Sequence, residues 1–112
     1  MIFETYQKGS YHIIRINEVI QVSSNIKELE DIVNKLLEKS IKNIGIHFED
    51  GSYIYSGSGG VLVRCFERIR DHKGTLACIN VNIGIRTFLA SMHNTSEIKI
   101  CASDEDLEIQ DN

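Results

Sequence analysis

Apolar positions along this chain alternate between the two-residue rhythm of a strand and the rhythm of an amphipathic helix, and the order of those stretches predicts an architecture. Residues 2–7 and 11–17 are short runs rich in Ile, Phe and Tyr, parted by Lys8-Gly9-Ser10. β-Branched and aromatic residues around a glycine-bearing connection predict an antiparallel hairpin. Residues 18–24 break the pattern. Then Ile26, Leu29, Ile32, Val33, Leu36 and Leu37 recur at helical spacing, while Lys27, Glu28, Glu30, Asp31, Lys35 and Glu38 fall mainly on the other face. A first helix is expected there, with Asn25 and Glu28 spaced as a capping box.

Residues 44–48 read as a strand with Ile44, Ile46 and Phe48 on one face, and Glu49-Asp50-Gly51 as a turn. Tyr53-Ile54-Tyr55 is a strand-like run leading into Ser56-Gly57-Ser58-Gly59-Gly60. The next helix carries a core stripe of Leu62, Cys65, Phe66 and Ile69, turns Arg64, Glu67, Arg68 and Arg70 to water or to a partner, and stops at Lys73-Gly74. Residues 76–81 form a buried strand. Asn82 is placed to cap a third helix, with Ile85, Phe88, Leu89 and Met92 on its inner face and its end near His93-Asn94. Residues 97–102 read as a last strand. Ser103 and Asp106 open a short terminal helix through Leu107 and Ile109, and residues 110–112 are expected to fray.

Two strands, then helices and strands in strict alternation, predict a single α/β domain over residues 1–112. Its sheet is expected to be mixed but mostly parallel, with an antiparallel amino-terminal strand and about four helices as right-handed crossovers and a terminal segment. The length suits one hydrophobic core without staples. No linker, repeat or low-complexity segment interrupts it.

Composition removes several classes of function. The formal net charge is −4 and no Lys/Arg stripe occurs, so the electrostatic footprint of nucleic-acid binding is missing. No apolar run is long enough to span a bilayer, and the opening Met1-Ile2-Phe3-Glu4 has neither the charged nor the apolar region of a signal peptide, so a cytoplasmic protein without a membrane partner is expected. Cys65, Cys78 and Cys101 are odd in number and set in apolar runs, which reads as buried free thiols. His12, His47, His72 and His93 are scattered with no metal-ligand spacing. No cofactor, no metal and no catalytic constellation is expected: Glu49-Asp50 and the carboxylates of residues 104–106 sit in turns and caps.

One stretch does invite a ligand. Ser56 and Ser58 are each placed to cap the helix that follows, and a phosphate there would meet the positive end of the helix dipole and its unpaired N–H groups. The same residues read equally as a cap with a permissive backbone. They are no nucleotide cradle, since the Lys-Ser/Thr of a P-loop and the G-x-G-x-x-G spacing are both missing.

From Tyr53 to Leu107 the chain resembles a STAS domain of the bacterial anti-sigma factor antagonist family. In that family a strand ends in an Asp-Ser-(Ser/Thr)-Gly-Leu-Gly-Val-like turn that opens a helix. Tyr55 stands at the acidic position, Ser56 at that of the phosphorylated serine, Gly57 at the second hydroxyl position and Ser58 at the glycine position, while Gly60-Val61 match unchanged. Ile69, Gly74, Cys78-Ile79-Asn80-Val81 and the segment from Ile85 to Leu89 follow in register, and Arg15-Ile16 through Gln21-Val22-Ser23 is similar to the family's earlier strand and acidic turn. Two acids of the pattern are replaced, by Tyr55 and by Gln21. A phenol is a far poorer base than a carboxylate at neutral pH, so a kinase would have to supply more of the chemistry itself.

The resemblance implies a non-enzymatic regulatory protein that docks onto a kinase-like anti-sigma factor or another regulatory protein. The implied contact set is Gln21, Tyr55, Ser56, Gly57, Ser58, Gly59, Gly60, Val61 and Arg64, with Ser56, and Ser58 as second choice, taking the phosphate. The replaced acids keep a second expectation open, a structural or assembly module without phosphorylation that contacts a larger complex or a second copy of itself.

Overall fold

The computed structural model describes residues 2–92 and 98–109. The elements run β1 (Phe3–Lys8), β2 (Tyr11–Ile16), α1 (Lys27–Glu38), β3 (Asn43–His47), α2 (Ser56–Asp71), β4 (Thr75–Ile79), α3 (Ile83–Ala90), β5 (Ile98–Cys101) and α4 (Glu105–Ile109). The five strands form one sheet in the order β1-β2-β3-β4-β5. Only β1 and β2 are antiparallel; the other pairs are parallel. The expected mixed sheet and its hairpin edge are therefore present.

Strand alternation divides the core in two. Ile14 and Ile16, Ile44 and Ile46, and Leu76 and Cys78 face α1, α2 and α3 and pack with Leu29, Val33, Leu62, Cys65, Ile85 and Leu89. The intervening positions Ile13, Ala77 and Ile79 face the other way, joined by Tyr11, Cys101 and Leu107 of α4. Cys78 and Cys101 thus belong to opposite faces of the sheet, and all three cysteines are free and buried, as expected.

Several boundaries differ from the sequence expectation. The Asn25/Glu28 capping box does not form: Ile26 occupies the N-cap position without a side-chain cap, and Asn25 Oδ1 accepts from the Lys27 amide at 2.9 Å. Ile26 is buried in the core, and anchoring that apolar side chain sets the helix start one residue further on. Tyr53-Ile54-Tyr55 is not a strand. Its backbone instead crosses to the preceding loop, with the Tyr53 amide donating to the Ile20 carbonyl at 3.0 Å. α3 ends at Ala90, leaving Met92 beyond the helix yet packed against the core. The expected helix end at His93-Asn94, the strand start at Glu97 and the frayed residues 110–112 lie outside the described residues.

At the end of α2 the stop lies at Lys73-Gly74, as expected, with the work divided between the two residues. Lys73, not the glycine, takes the left-handed backbone (φ 60°), and the Lys73 and Gly74 amides donate to the Arg70 and Ile69 carbonyls, each at 2.8 Å. Gly74 is needed for another reason: a Cβ there would collide with the Lys42 carbonyl oxygen at the start of β3.

Candidate functional site

Three connections leave the carboxyl ends of the parallel strands β2, β3 and β4, and Ser52 ties them together. Its Oγ accepts from the Ile20 amide at 3.0 Å, its carbonyl accepts from Asn82 Nδ2 at 2.7 Å, and its amide donates to the Glu49 carbonyl at 3.2 Å. Ser52 is buried, and its bond from the Ile20 amide is made away from water, where a lost partner is costly. Asn82 caps α3 as expected, its Oδ1 accepting from the Ile85 amide at 2.9 Å.

The Ser-Gly stretch proves to be helix. α2 begins at Ser56, with Tyr55 as the extended N-cap residue. Neither expected serine stands at the cap position. Ser58, three residues in, performs the reciprocal half of a capping box, its Oγ accepting from the Tyr55 amide at 3.0 Å and donating to the Tyr55 carbonyl at 3.1 Å. That commits and buries the Ser58 hydroxyl. Gly59 is buried as well: a Cβ there would come within 2.9 Å of Phe88 Cε1, so its bare backbone serves the packing of α2 on α3. Val61 lies in the core. Of the nine residues expected at a contact surface, Ser58, Gly59 and Val61 therefore face inward.

The outward members are Gln21, Tyr55, Ser56, Gly57 and Arg64, with Gly60 half-buried. No acidic residue occupies the first turn of α2, so the positive helix end meets no carboxylate of its own turn. Arg64 is half exposed but engaged: Nε donates to Glu30 Oε1 of α1 at 2.8 Å, and Arg68 holds the other carboxylate oxygen at 2.9 Å. The hydrogen bond from Arg64, reinforced by Arg68, holds the Glu30 carboxyl below its ordinary range.

The connections at this end of the sheet also expose large apolar and aromatic side chains, of which Tyr55 belongs to the contact set expected from the sequence and Val22, Tyr53 and Ile83 do not. Val22 is 74% exposed, Tyr53 55%, Tyr55 37% and Ile83 83%. The Tyr53 and Tyr55 rings lie 5.0 Å apart at 46°, and the Tyr53 ring covers Gly84. Ile83 carried a signal, since it is an isoleucine off the inner stripe of Ile85, Phe88 and Leu89. Tyr53 and Val22 carried none, because a local pattern does not reveal which loop residues a hydrogen-bonded hub pushes outward.

Burial pushes the Cys65 thiol up to about 12, far from a thiolate at neutral pH. Among the described residues no group of three His, Cys, Asp or Glu side chains is placed to hold a metal ion, and no helix is long and apolar enough to cross a membrane. A cavity of about 430 Å³ bounded by Phe66, Ile69, Leu76, Phe88, Met92 and Ile98 is not lined by Ser56.

A polar cluster occupies the opposite face of the sheet. Arg15 and His47 are register partners in β2 and β3. Arg15 Nη1 donates to His47 Nε2 at 2.9 Å, His47 Nδ1 lies 3.1 Å from the Tyr6 hydroxyl, and Tyr6 donates to Asp104 Oδ2 at 2.8 Å. This directional series fits a neutral imidazole protonated on Nδ1. Burial first, then the Arg15 charge, lowers the His47 pKa. Burial, followed by the hydrogen bond to Asp104, raises that of Tyr6.

No protein-family model and no curated protein matches the chain. Among solved structures, the crystal structure of a candidate anti-sigma factor antagonist of Thermotoga maritima, TM1081, superimposes with a TM-score of 0.78 at 19% identity, over 96% of this chain and 92% of that one. An NMR structure of the protein TM1081 gives a TM-score of 0.72 at 20% identity, over 95% and 85%. The fold is STAS-like. In this STAS-like domain the parallel strands keep their chain order, so no reversal of strand order opens a crevice at their carboxyl ends.

Proposed function

We propose that this STAS-like domain is a regulatory protein-binding module that docks onto a kinase-like anti-sigma factor or a comparable regulatory protein. The observation that carries this reading is the exposure of Ser56 at the first position of α2, at the end of the sheet where Val22, Tyr53, Tyr55 and Ile83 are exposed too. Tyrosines such as Tyr53 and Tyr55 are enriched among the residues that carry the binding energy of protein interfaces. Gln21, Gly57, Gly60 and Arg64 complete the contact surface.

Ser56 is the site of the switch in this reading. Its Oγ attacks the terminal phosphorus of ATP held by the partner, the hydroxyl proton passes to a carboxylate of the partner, and ADP leaves. The added phosphate, at about −1.5 to −2 charges, would have to be buried among the apolar side chains in the docked state, so it releases the partner. Ser58 cannot serve equally, since its hydroxyl is buried and bonded to Tyr55.

The test is a pull-down from the native host with phosphosite mapping of the bait. A kinase-like ATP-binding partner and label on Ser56 that vanishes in Ser56→Ala support the proposal; label that persists in Ser56→Ala removes Ser56 from it. The replacement of the family's acid by Tyr55 favours a second reading, a permanently docked assembly module in a larger complex or with a second copy. Intact mass of protein from native cells separates the two, because that reading requires an unmodified chain under every growth condition.

A further inference from the structure

At the other end of the sheet three turns converge: the Lys8–Ser10 hairpin, the α1–β3 connection and the α2–β4 connection. Between them lies a cavity of about 420 Å³, whose wall includes Ser10, His12, Ser40, Lys42, Asn43 and Lys73. No carboxylate lines it. In a chain of net charge −4 this is a local reversal of sign, and among the described residues no acid pairs with Lys42 or Lys73.

The backbones that carry the two lysines are held in fixed relation. The Thr75 amide donates to the Lys42 carbonyl at 3.0 Å, and the bare Gly74 backbone sits against that same carbonyl. Lys73, one residue before, is fixed by its bond to Arg70. Ser40 and Lys73 adopt left-handed backbone, φ 65° and 60°, at the two helix ends where glycine is the residue of least cost. Both line the cavity. The carbonyls at those helix ends are satisfied by backbone amides, Ser40 and Ile41 donating to Leu37 and Leu36 and Lys73 and Gly74 to Arg70 and Ile69. The lysine ammoniums are not needed as caps.

From this wall we infer that the cavity is a binding site for a small phosphomonoester carried on a polyhydroxylated frame, a sugar phosphate in size and chemistry. Lys42 and Lys73 take the phosphate as paired point charges. Asn43, Ser40 and the His12 ring supply the donors and acceptors that hydroxyl groups require. The volume falls in the range of small-ligand sites. The site lies across the sheet from Ser56 and does not depend on the proposed docking function.

The experiment uses the full chain labelled with ¹⁵N and ribose 5-phosphate as probe, with ribose and inorganic phosphate as separate arms at constant ionic strength. Saturable amide shifts at Ser40, Lys42, Asn43 and Lys73 are expected with ribose 5-phosphate. Lys42→Gln and Lys73→Gln, both exposed changes that leave the remaining spectrum intact, should each weaken binding at least tenfold. Shifts that rise linearly without saturation, or an unchanged affinity in both variants, overturn the site. Inorganic phosphate binding as tightly as ribose 5-phosphate overturns the ligand class.

Discussion

Asn82 holds Ser52 at 2.7 Å through its Nδ2 while its Oδ1 caps α3, so one amide side chain both starts a helix and fixes the loop leading into α2. Both halves can be separated. Asn82→Asp keeps the capping oxygen and loses the donor to Ser52; Asn82→Ala loses both. Removing such a cap costs about 1 kcal/mol, so urea unfolding should find Asn82→Ala less stable than Asn82→Asp by roughly that amount. Ser52→Ala leaves the Ile20 amide without its partner and should cost about 1–3 kcal/mol. Equal stability of all three variants and the parent would show that the hub does not hold the loops.

The two serines at the start of α2 should respond in opposite ways. Ser58→Ala deletes the bonds to Tyr55 and should lower stability by about 1 kcal/mol. Ser56→Ala touches no internal partner and should change stability by less than about 0.5 kcal/mol. Chemical denaturation of the pair, combined with phosphate incorporation, separates the structural serine from the modifiable one.

Glycines two residues apart should likewise diverge. Gly59→Ala drives a methyl into Phe88 and should cost about 1–3 kcal/mol. In Gly59→Ala with Phe88→Leu the two losses should sum to less than their separate values, a coupling measured by a double-mutant cycle. A Cβ at Gly57 meets nothing within 4 Å, and Gly57→Ala should raise stability by up to about 1 kcal/mol through helix propensity alone. If Gly57→Ala weakens partner capture while raising stability, Gly57 is in the contact.

The stability of the fold should decline as the solution is acidified from pH 7 toward 5. Folded His47 has a pKa below its ordinary value of about 6.5. Over that interval the unfolded chain takes up a proton that the folded one resists, and stability falls as pH drops through 6.5 toward the folded value. The charged groups bearing on His47 are Arg15, which lowers its pKa, and Asp104, Glu49 and Asp50, which raise it, with the Tyr6 hydroxyl bonded to the ring. His47→Gln should flatten this part of the profile. Glu30 acts at lower pH, its depressed carboxyl withdrawing stability only as pH falls below the ordinary carboxylate value. An unaltered slope in His47→Gln between pH 7 and 5 would place the titration elsewhere.

Much of the architecture was legible because it rests on periodicity. The stripe of Leu62, Cys65, Phe66 and Ile69 and the alternation of Ile44 and Ile46 are properties of neighbouring residues, and each is buried where its period places it. The order of elements then allowed few sheets. The site was legible in position but not in detail. Ser56-Gly57-Ser58-Gly59-Gly60 looks like a loop to any local rule, since glycine opposes helix; contacts with Phe88, 29 residues beyond Gly59 in the sequence, and the Ser58 bonds to Tyr55 make it helix. The crossing of the Tyr53 backbone to Ile20, beside Ser52 joining three loops, is a relation among distant residues that no window contains.

The order of strands in the sheet, which repeats their order in the chain, bears on how the protein is made. Each strand leaving the ribosome meets an edge already formed by its predecessor, and only one helix separates successive parallel partners. The growing intermediate therefore never waits for a distant strand to complete its interior, and its search is a series of short steps. The same order leaves the last strand of each half-made sheet unpaired on one side, at β4 the apolar run Leu76–Ile79 until β5 arrives. Until β5 has emerged and paired, that unpaired side is a template for a strand of another chain.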